Sequence, residues 1–550
     1  MPILLSLKEI PMKRLSLFLL MVFGLIELNA QTFTYGDLIY EVNYGSSVTV
    51  LEHVDGTDAT GTLTIPDYVV YNGNSYAVTM IDDYAFSYCR GLEGTLVLPS
   101  TLEEIGDDAF DYCGFTGVVT IPASVEYIGY TPFYGCDGIE GFVVDPANED
   151  YDSRDNCNAV ILTYNDELQF GCKNSTIPDG VESIAEDAFN HVSGLTSITI
   201  PNSVTEIGGW SFWFTGLTSI NIPSSVTYIG ENPFAGCVAL TAITVESGNT
   251  VFDSRNDCNA IIRTSTNEII SGCQNTVIPN DVTRIGNDAF YYCSSLSGEL
   301  VIPENITSIG EYAFERCTGL RGSLVIPNSV TVIGESAFAN CTGFDGTLTL
   351  SQALTSIEDW AFEACSGFTG SLKIPNAVTS IGSSAFEECA GFNGTLTLPR
   401  SLVYVGDFAF ASCSGFSDAV IWAETPPTLD MYPFGGFGSN KLTVPCGCVS
   451  VYENSDWHEQ FTTIVEDCEA VSEIANNNVS VYPNPTKGHV TIAAEEIRHL
   501  GIYNTIGVKL FESTVNGDVF EFDFSDYDAG IYLIRMETAK GIETKMVTVE

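Results

Sequence analysis

From about residue 60 to residue 440 the apolar positions recur on a fixed stride of 22 to 24 residues, which is the signature of a repeat architecture. Val301-Ile302-Pro303 is followed by Ile309-Gly310, Ala313-Phe314 and Cys317, and the string returns at Ile326-Pro327, Ile333-Gly334, Ala337-Phe338 and Cys341. It returns again at Ile374-Pro375, Ile381-Gly382, Ala385-Phe386 and Cys389. The anchoring Phe occurs thirteen times, at Phe86, Phe110, Phe133, Phe189, Phe212, Phe234, Phe290, Phe314, Phe338, Phe362, Phe386, Phe410 and Phe434. The steps from Pro to Ile (six), Ile to Phe (five) and Phe to Cys (three) are kept, and the length varies only after the Cys. Leu-x-Ile-Pro reads as a short strand that Pro ends, because its ring removes a ladder donor. The Gly after each Ile is expected to take a positive φ at the next corner. A unit of about 24 residues cannot bury its own Ile, Phe and Cys, so neighbouring coils must stack into one continuous core.

Two insertions interrupt the period and are copies of each other. Asp152-Ser153-Arg154-Asp155-Asn156-Cys157 matches Asp253-Ser254-Arg255-Asn256-Asp257-Cys258, and each is followed by Gly-Cys, at Cys172 and Cys273. Each reads as a hairpin projecting from the stack, with turns near Tyr164-Asn165 and Ser265-Thr266. Residues 31–80 alternate as strands and read as an N-terminal cap before the repeats of 81–440. Residues 441–468, with Tyr452, Trp457 and Phe461, read as a C-terminal cap. A polar linker over 469–478 leads to a module at 479–550, where about seven short strands suggest a small β-sandwich.

Composition narrows the function. Acidic residues outnumber basic ones 71 to 20, a formal charge of −51, which repels phosphate backbones and anionic surfaces and so argues against a nucleic-acid partner. The only segment apolar enough for a membrane, Leu15 to Ile26, is too short to span; with Lys13-Arg14 before it and Leu28-Asn29-Ala30 after it, residues 1–30 read as a secretory signal peptide. No transmembrane segment is expected after its cleavage.

The repeat string resembles the leucine-rich repeats of the BspA-like bacterial surface proteins, over about residues 60 to 440. The fold this implies is mainly β: a leucine-rich-repeat solenoid with two inserted β-hairpins, followed by the small C-terminal β-sandwich. Tyr482-Pro483-Asn484-Pro485, Gly530-Ile531-Tyr532 and Lys545-Met546-Val547 resemble the C-terminal sorting domain of type IX (Por) secretion in Bacteroidetes. That resemblance implies the type IX machinery as a partner, passage across the outer membrane, and a secreted or cell-surface location.

The seventeen cysteines fall into three groups. Ten occupy the Phe-x-x-Cys position, where stacking holds them about 5 Å apart, too far for a bridge; they read as buried thiols. Cys157 with Cys172 and Cys258 with Cys273 can face each other across a hairpin and are expected to pair. In the cap Cys446 is expected to pair with Cys468, leaving Cys448 over. His53, His191, His458, His489 and His499 lie in different modules without matched ligand spacing, and no catalytic motif is present. No enzyme, cofactor or metal site is therefore expected, although the acidic stem Asp145 to Asp155 could collect Ca²⁺. The most suggestive surface position lies two residues before each Phe, occupied by Tyr84, Trp210, Tyr312, Trp360, Phe408 and Tyr432. With Trp213, these are candidate contacts for an extracellular protein or glycan. The expected function is adhesion to host or neighbouring-cell macromolecules, a word the family resemblance supplies; the alternative is a structural spacer of the envelope or biofilm matrix.

Overall fold

The computed structural model describes residues 31–43, 45–468, 480–482, 484–504, 508–525, 527–538 and 541–549. The expected signal peptide, the linker over 469–478 and Pro483 lie outside the described residues. Two compact units are present, Met1–Ala419 with Pro427–Asn440, and Val420–Pro426 with Lys441–Glu550.

The first unit is the stacked solenoid. Each coil gives a two-residue strand ending in the repeat Ile, which pairs in parallel one coil on, as Ser308–Ile309 does with Val332–Ile333. A second set comes from the residues before Pro, as in the parallel pair Leu324–Val325 and Leu348–Thr349. All thirteen repeat Phe side chains point inward, none more than 9% exposed. Within the runs from Phe86 to Phe133, Phe189 to Phe234 and Phe290 to Phe434 their rings stack nearly parallel, with centroids 4.9 to 5.5 Å apart. Each such contact adds about 0.5–1.5 kcal/mol beyond the area it buries.

The corner carrying these phenyl groups differs from the sequence expectation. The Gly after Ile does not take a positive φ; in every copy that has one, it is there because a Cβ would strike the preceding coil, as at Gly334, where it would lie 2.5 Å from the Glu311 amide nitrogen. The left-handed residues stand instead two before and two after each Phe, in all thirteen coils, and most are not glycine. Tyr312 (φ +55°) and Arg316 (φ +60°) flank Phe314 in this way. This alternation turns every second amide toward the next coil. The amides of Tyr312, Phe314 and Arg316 donate to the carbonyls of Glu335, Ala337 and Ala339 at 2.8 to 2.9 Å. The strain of the left-handed residues is thus offset by a backbone ladder along the stack.

The insertions do not project; they are built into the stack. Tyr151–Asp152, Ala159–Leu162 and Glu167–Gly171 form an antiparallel meander, and Glu167–Gly171 then pairs in parallel with the repeat strand Ser183–Ile184. Ala159, Val160 and Ile161 are fully buried, a continuous apolar run that suits a strand covered on both faces. Phe252–Asp253, Ala260–Arg263 and Glu268–Gly272 repeat the arrangement against Arg284–Ile285. The chain start uses the same device: Thr32–Tyr35, Leu38–Val42 and Ser47–His53 form a meander that feeds a parallel pair with Asn74–Ile81.

The expected hairpin disulfides are absent, for a reason of register. Ala159 stands opposite Gly171, so Cys157 and Cys172 are one residue out of register. Cys172 packs with Val160 in one core cluster, whereas Cys157 packs with Ala159, Ile161 and Leu168 in the next. Their thiols donate instead to the carbonyls of Asn158 and Ala159, each at 3.5 Å. Cys258 and Cys273 are likewise free, their thiols directed at Ala260 and Asn259 carbonyls. The ladder cysteines are free and buried, and most donate to the Phe carbonyl of the preceding coil, as Cys341 does to Phe314 at 3.0 Å.

In the second unit Lys441–Pro445 pairs in parallel with Thr463–Asp467, and the Cys446–Cys468 disulfide ties their ends. Tyr452, Trp457 and Phe461 are fully buried between these strands and two short helices. Among the described residues the C-terminal module has five strands rather than about seven. His489–Asn504 and Lys509–Asp523 each merge two expected strands, and bulges between Ala493 and Ile497 and again near His499 let the pair bend instead of breaking. Gly530–Thr538 and Gly541–Val549 complete it around a core that includes Ile492, Leu500, Ile534 and Val547.

Candidate binding face

The left-handed corner is the surface where the candidate aromatic residues gather, although Asn232, Ser336 and Ser384 at the same positions are buried. The structure places Tyr84 and Tyr432 there more than 60% exposed, with Trp360 and Phe408 at 38% and 37% and Tyr312 half-buried. Phe408 stacks on Tyr432, and the Tyr312 hydroxyl donates to Glu335 at 2.9 Å. Trp210 and Trp213 come together, ring centroids 4.9 Å apart, and Trp210 also meets Tyr291.

Sequence reasoning missed most of the cluster around this pair. Tyr88 stacks on Tyr112, Tyr112 meets Tyr134 edge-on, and His191 lies against Tyr134, Trp213 and Phe214. The Tyr134 hydroxyl is 2.8 Å from His191 Nδ1, and burial pulls the imidazole pKa below its usual value against the opposing charge of Asp137. These residues occupy the two positions after Phe. There a Tyr, Trp, Phe or His ring stands in six of the first seven coils, all but that of Phe234, and in none of the last six, a signal readable from the repeat phase alone.

A groove of about 580 Å³ opens in this cluster where the first insertion separates the coil of Phe133 from that of Phe189. At this insertion the regular rung is replaced. Gly171, not a phenylalanine, donates to the Ala188 carbonyl. At the second insertion Gly272 makes the same bond to Ala289, and there Trp210 packs on Tyr291 and Phe214 on Tyr292 across the junction. The first groove combines the rings with Asp108, Asp111, Glu186 and Asp187. Burial raises the pKa of Asp108, Asp111 and Asp187, and neighbouring carboxylates raise it further, while Thr131 and Asn190 hydrogen bonds to Asp108 and Asp187 oppose the shift. Tyr130 donates to Asp187 across the groove.

For metal binding, the one cluster within ligand reach among the described residues is Cys446, Glu466 and Cys468, whose two sulfurs are already joined. In the acidic stem, Asp152 is held by the Arg154 guanidinium at 2.6 Å.

In the C-terminal module the separated sorting elements converge. The Asn484 side chain donates to the Met546 carbonyl at 2.8 Å and accepts from the Thr548 amide at 2.9 Å, binding the turn to the last strand. Gly530 stands opposite Val549, Lys545 opposite Ile534, and the Tyr532 hydroxyl donates to the Asp528 carbonyl. Tyr482 is exposed. No helix among the described residues is long and apolar enough to cross a membrane.

Comparisons with known proteins bear on both parts. Residues 480–550 match the Secretion system C-terminal sorting domain, so the chain is routed by type IX export to the cell surface or the medium. Among solved structures, a leucine rich cell surface protein of Faecalibacterium prausnitzii is 24% identical over 72% of this chain and 96% of that one, with a TM-score of 0.45. Leucine-rich repeat proteins of Bacteroides ovatus and Eubacterium ventriosum are 21% and 18% identical, with TM-scores of 0.35 and 0.40. The former match covers 79% of this chain and 100% of that one, the latter 74% and 95%. No curated protein matches the chain. Residues 74–157, 167–272, 271–369 and 344–456 match the BspA type Leucine rich repeat region, well over half of the sequence, and the chain belongs to that family.

Proposed function

We propose that this protein is a non-enzymatic binding protein, displayed on the cell surface or released, that adheres to host or neighbouring-cell macromolecules through the left-handed corner of its repeats. The observation that carries this reading is the half-buried aromatic cluster centred on Trp210 and Trp213, beside a groove too open to be core packing alone. Tyr and Trp are the residues from which binding hot spots are most often built. A spacer of the envelope or biofilm matrix needs the stack but not these rings. Titrating the purified full chain against extracellular-matrix proteins and glycans separates the two. An adhesin gives saturable binding that Trp210→Ala with Trp213→Ala weakens at least about tenfold, as loss of two hot-spot residues would; a spacer gives none, or binding the double variant retains.

A further inference from the structure

The groove at the first insertion has a chemistry more specific than a general adhesive face. Four of its lining residues are acidic, Asp108, Asp111, Glu186 and Asp187, and none is lysine or arginine. Asp111 is only 7% exposed, and although Ser87 and the Tyr88 amide hydrogen-bond to its carboxylate, its Oδ1 is buried without a partner. Aromatic rings form the rest of the wall. Their negative faces attract cations, and guanidinium stacks on them readily. The protein's own Arg90 shows the match, lying 5.9 Å and 5.5 Å from the ring centroids of Tyr88 and Tyr112 at the groove.

We propose that this groove receives a cationic side chain, arginine or lysine, presented by a partner polypeptide. The cation stacks between the rings and neutralises the carboxylates, with Asp108 and Asp187 as its principal acceptors. A neutral saccharide would stack on the same rings but leave the clustered charge uncompensated, and an anionic glycan would be repelled. The chain's net charge of −51 draws basic partners toward it and raises their rate of encounter. This deepens the proposed binding function by naming the group recognised, and it rests on that reading.

The test uses the full chain and three probes followed by calorimetry: a blocked Gly-Arg-Gly peptide, the same peptide with citrulline, which keeps the shape and loses the charge, and cellotetraose. The arginine peptide is expected to bind at least about tenfold more tightly than the citrulline peptide, and Asp108→Asn with Asp187→Asn should remove most of that difference. Glu299→Gln with Glu304→Gln, an exposed pair elsewhere on the stack, removes the same charge and should change affinity less than about twofold. Equal binding of arginine and citrulline peptides, equal losses in both double variants, or a preference for cellotetraose would each overturn the proposal. If macromolecules bind through Trp210 and Trp213 while the arginine peptide does not, the cation assignment falls and the binding face stands.

Discussion

Ala364 holds a φ of +53° two residues after Phe362, a conformation that costs an alanine about 1–2 kcal/mol. Ala364→Gly should therefore stabilise the stack by up to ~1 kcal/mol, the relief being partly cancelled by the greater freedom of Gly in the unfolded chain. Gly334 is the opposite case. Its φ is ordinary, and Gly334→Ala should destabilise by about 1–3 kcal/mol through collision with the Glu311 backbone. Paired guanidinium melts check both, and the reverse order of stabilities would refute the assignment of the two positions. Asp288 gives a pH-dependent counterpart. Burial first, then Glu231, Glu315 and Glu311, push its carboxyl up to about 6 against the nearby Asn232 amide. A carboxyl that holds its proton more tightly folded than unfolded favours the folded state at low pH and loses that advantage as pH rises through about 6. Asp288→Asn should melt higher than wild type at pH 7.5, with the gap closing as pH falls toward 4; a gap independent of pH would show that charge burial is not the cause.

At the scale of the element, the strand-Pro, Ile, Phe and Cys steps were legible because stacking imposes one spacing on all of them. The left-handed pair around each Phe was not, since most of the sites hold residues such as Tyr, Asp, Trp, Ser and Arg rather than glycine. The insertions were legible as hairpins with turns in the right places, Tyr164 being 78% exposed, but their depth in the stack and the faces of their cysteines depend on a register the sequence does not display. Trp210 and Trp213 were legible as unusual, whereas Tyr88, Tyr112, Tyr134 and His191 gain meaning only once their coils are set side by side. The thiols make this scale testable. Unreduced protein in denaturant should titrate fifteen free thiols. A count of eleven, the number left by three bridges among seventeen cysteines, would restore the hairpin disulfides and contradict the two-faced register.

For the whole molecule, the repeat unit and the sorting module carry separate tasks. The C-terminal module has its own core and no Cys, and its sorting elements meet at the last strand, where Met546 is 56% exposed. Deleting residues 479–550 should leave folded repeats in the periplasm, detected by fractionation, and fusing that segment to an exported reporter should carry the reporter to the surface or medium. Normal delivery of the truncated chain would contradict the routing. The binding role is tested most directly by attachment of native-host cells to a matrix-coated surface, comparing wild type with a strain whose chromosomal copy carries Trp210→Ala and Trp213→Ala. Antibody against the C-terminal cap should find equal amounts of both proteins on the surface, while attachment of the variant falls to the level of a deletion strain. Attachment equal to wild type, with the variant fully displayed, would contradict a role for this face in adhesion.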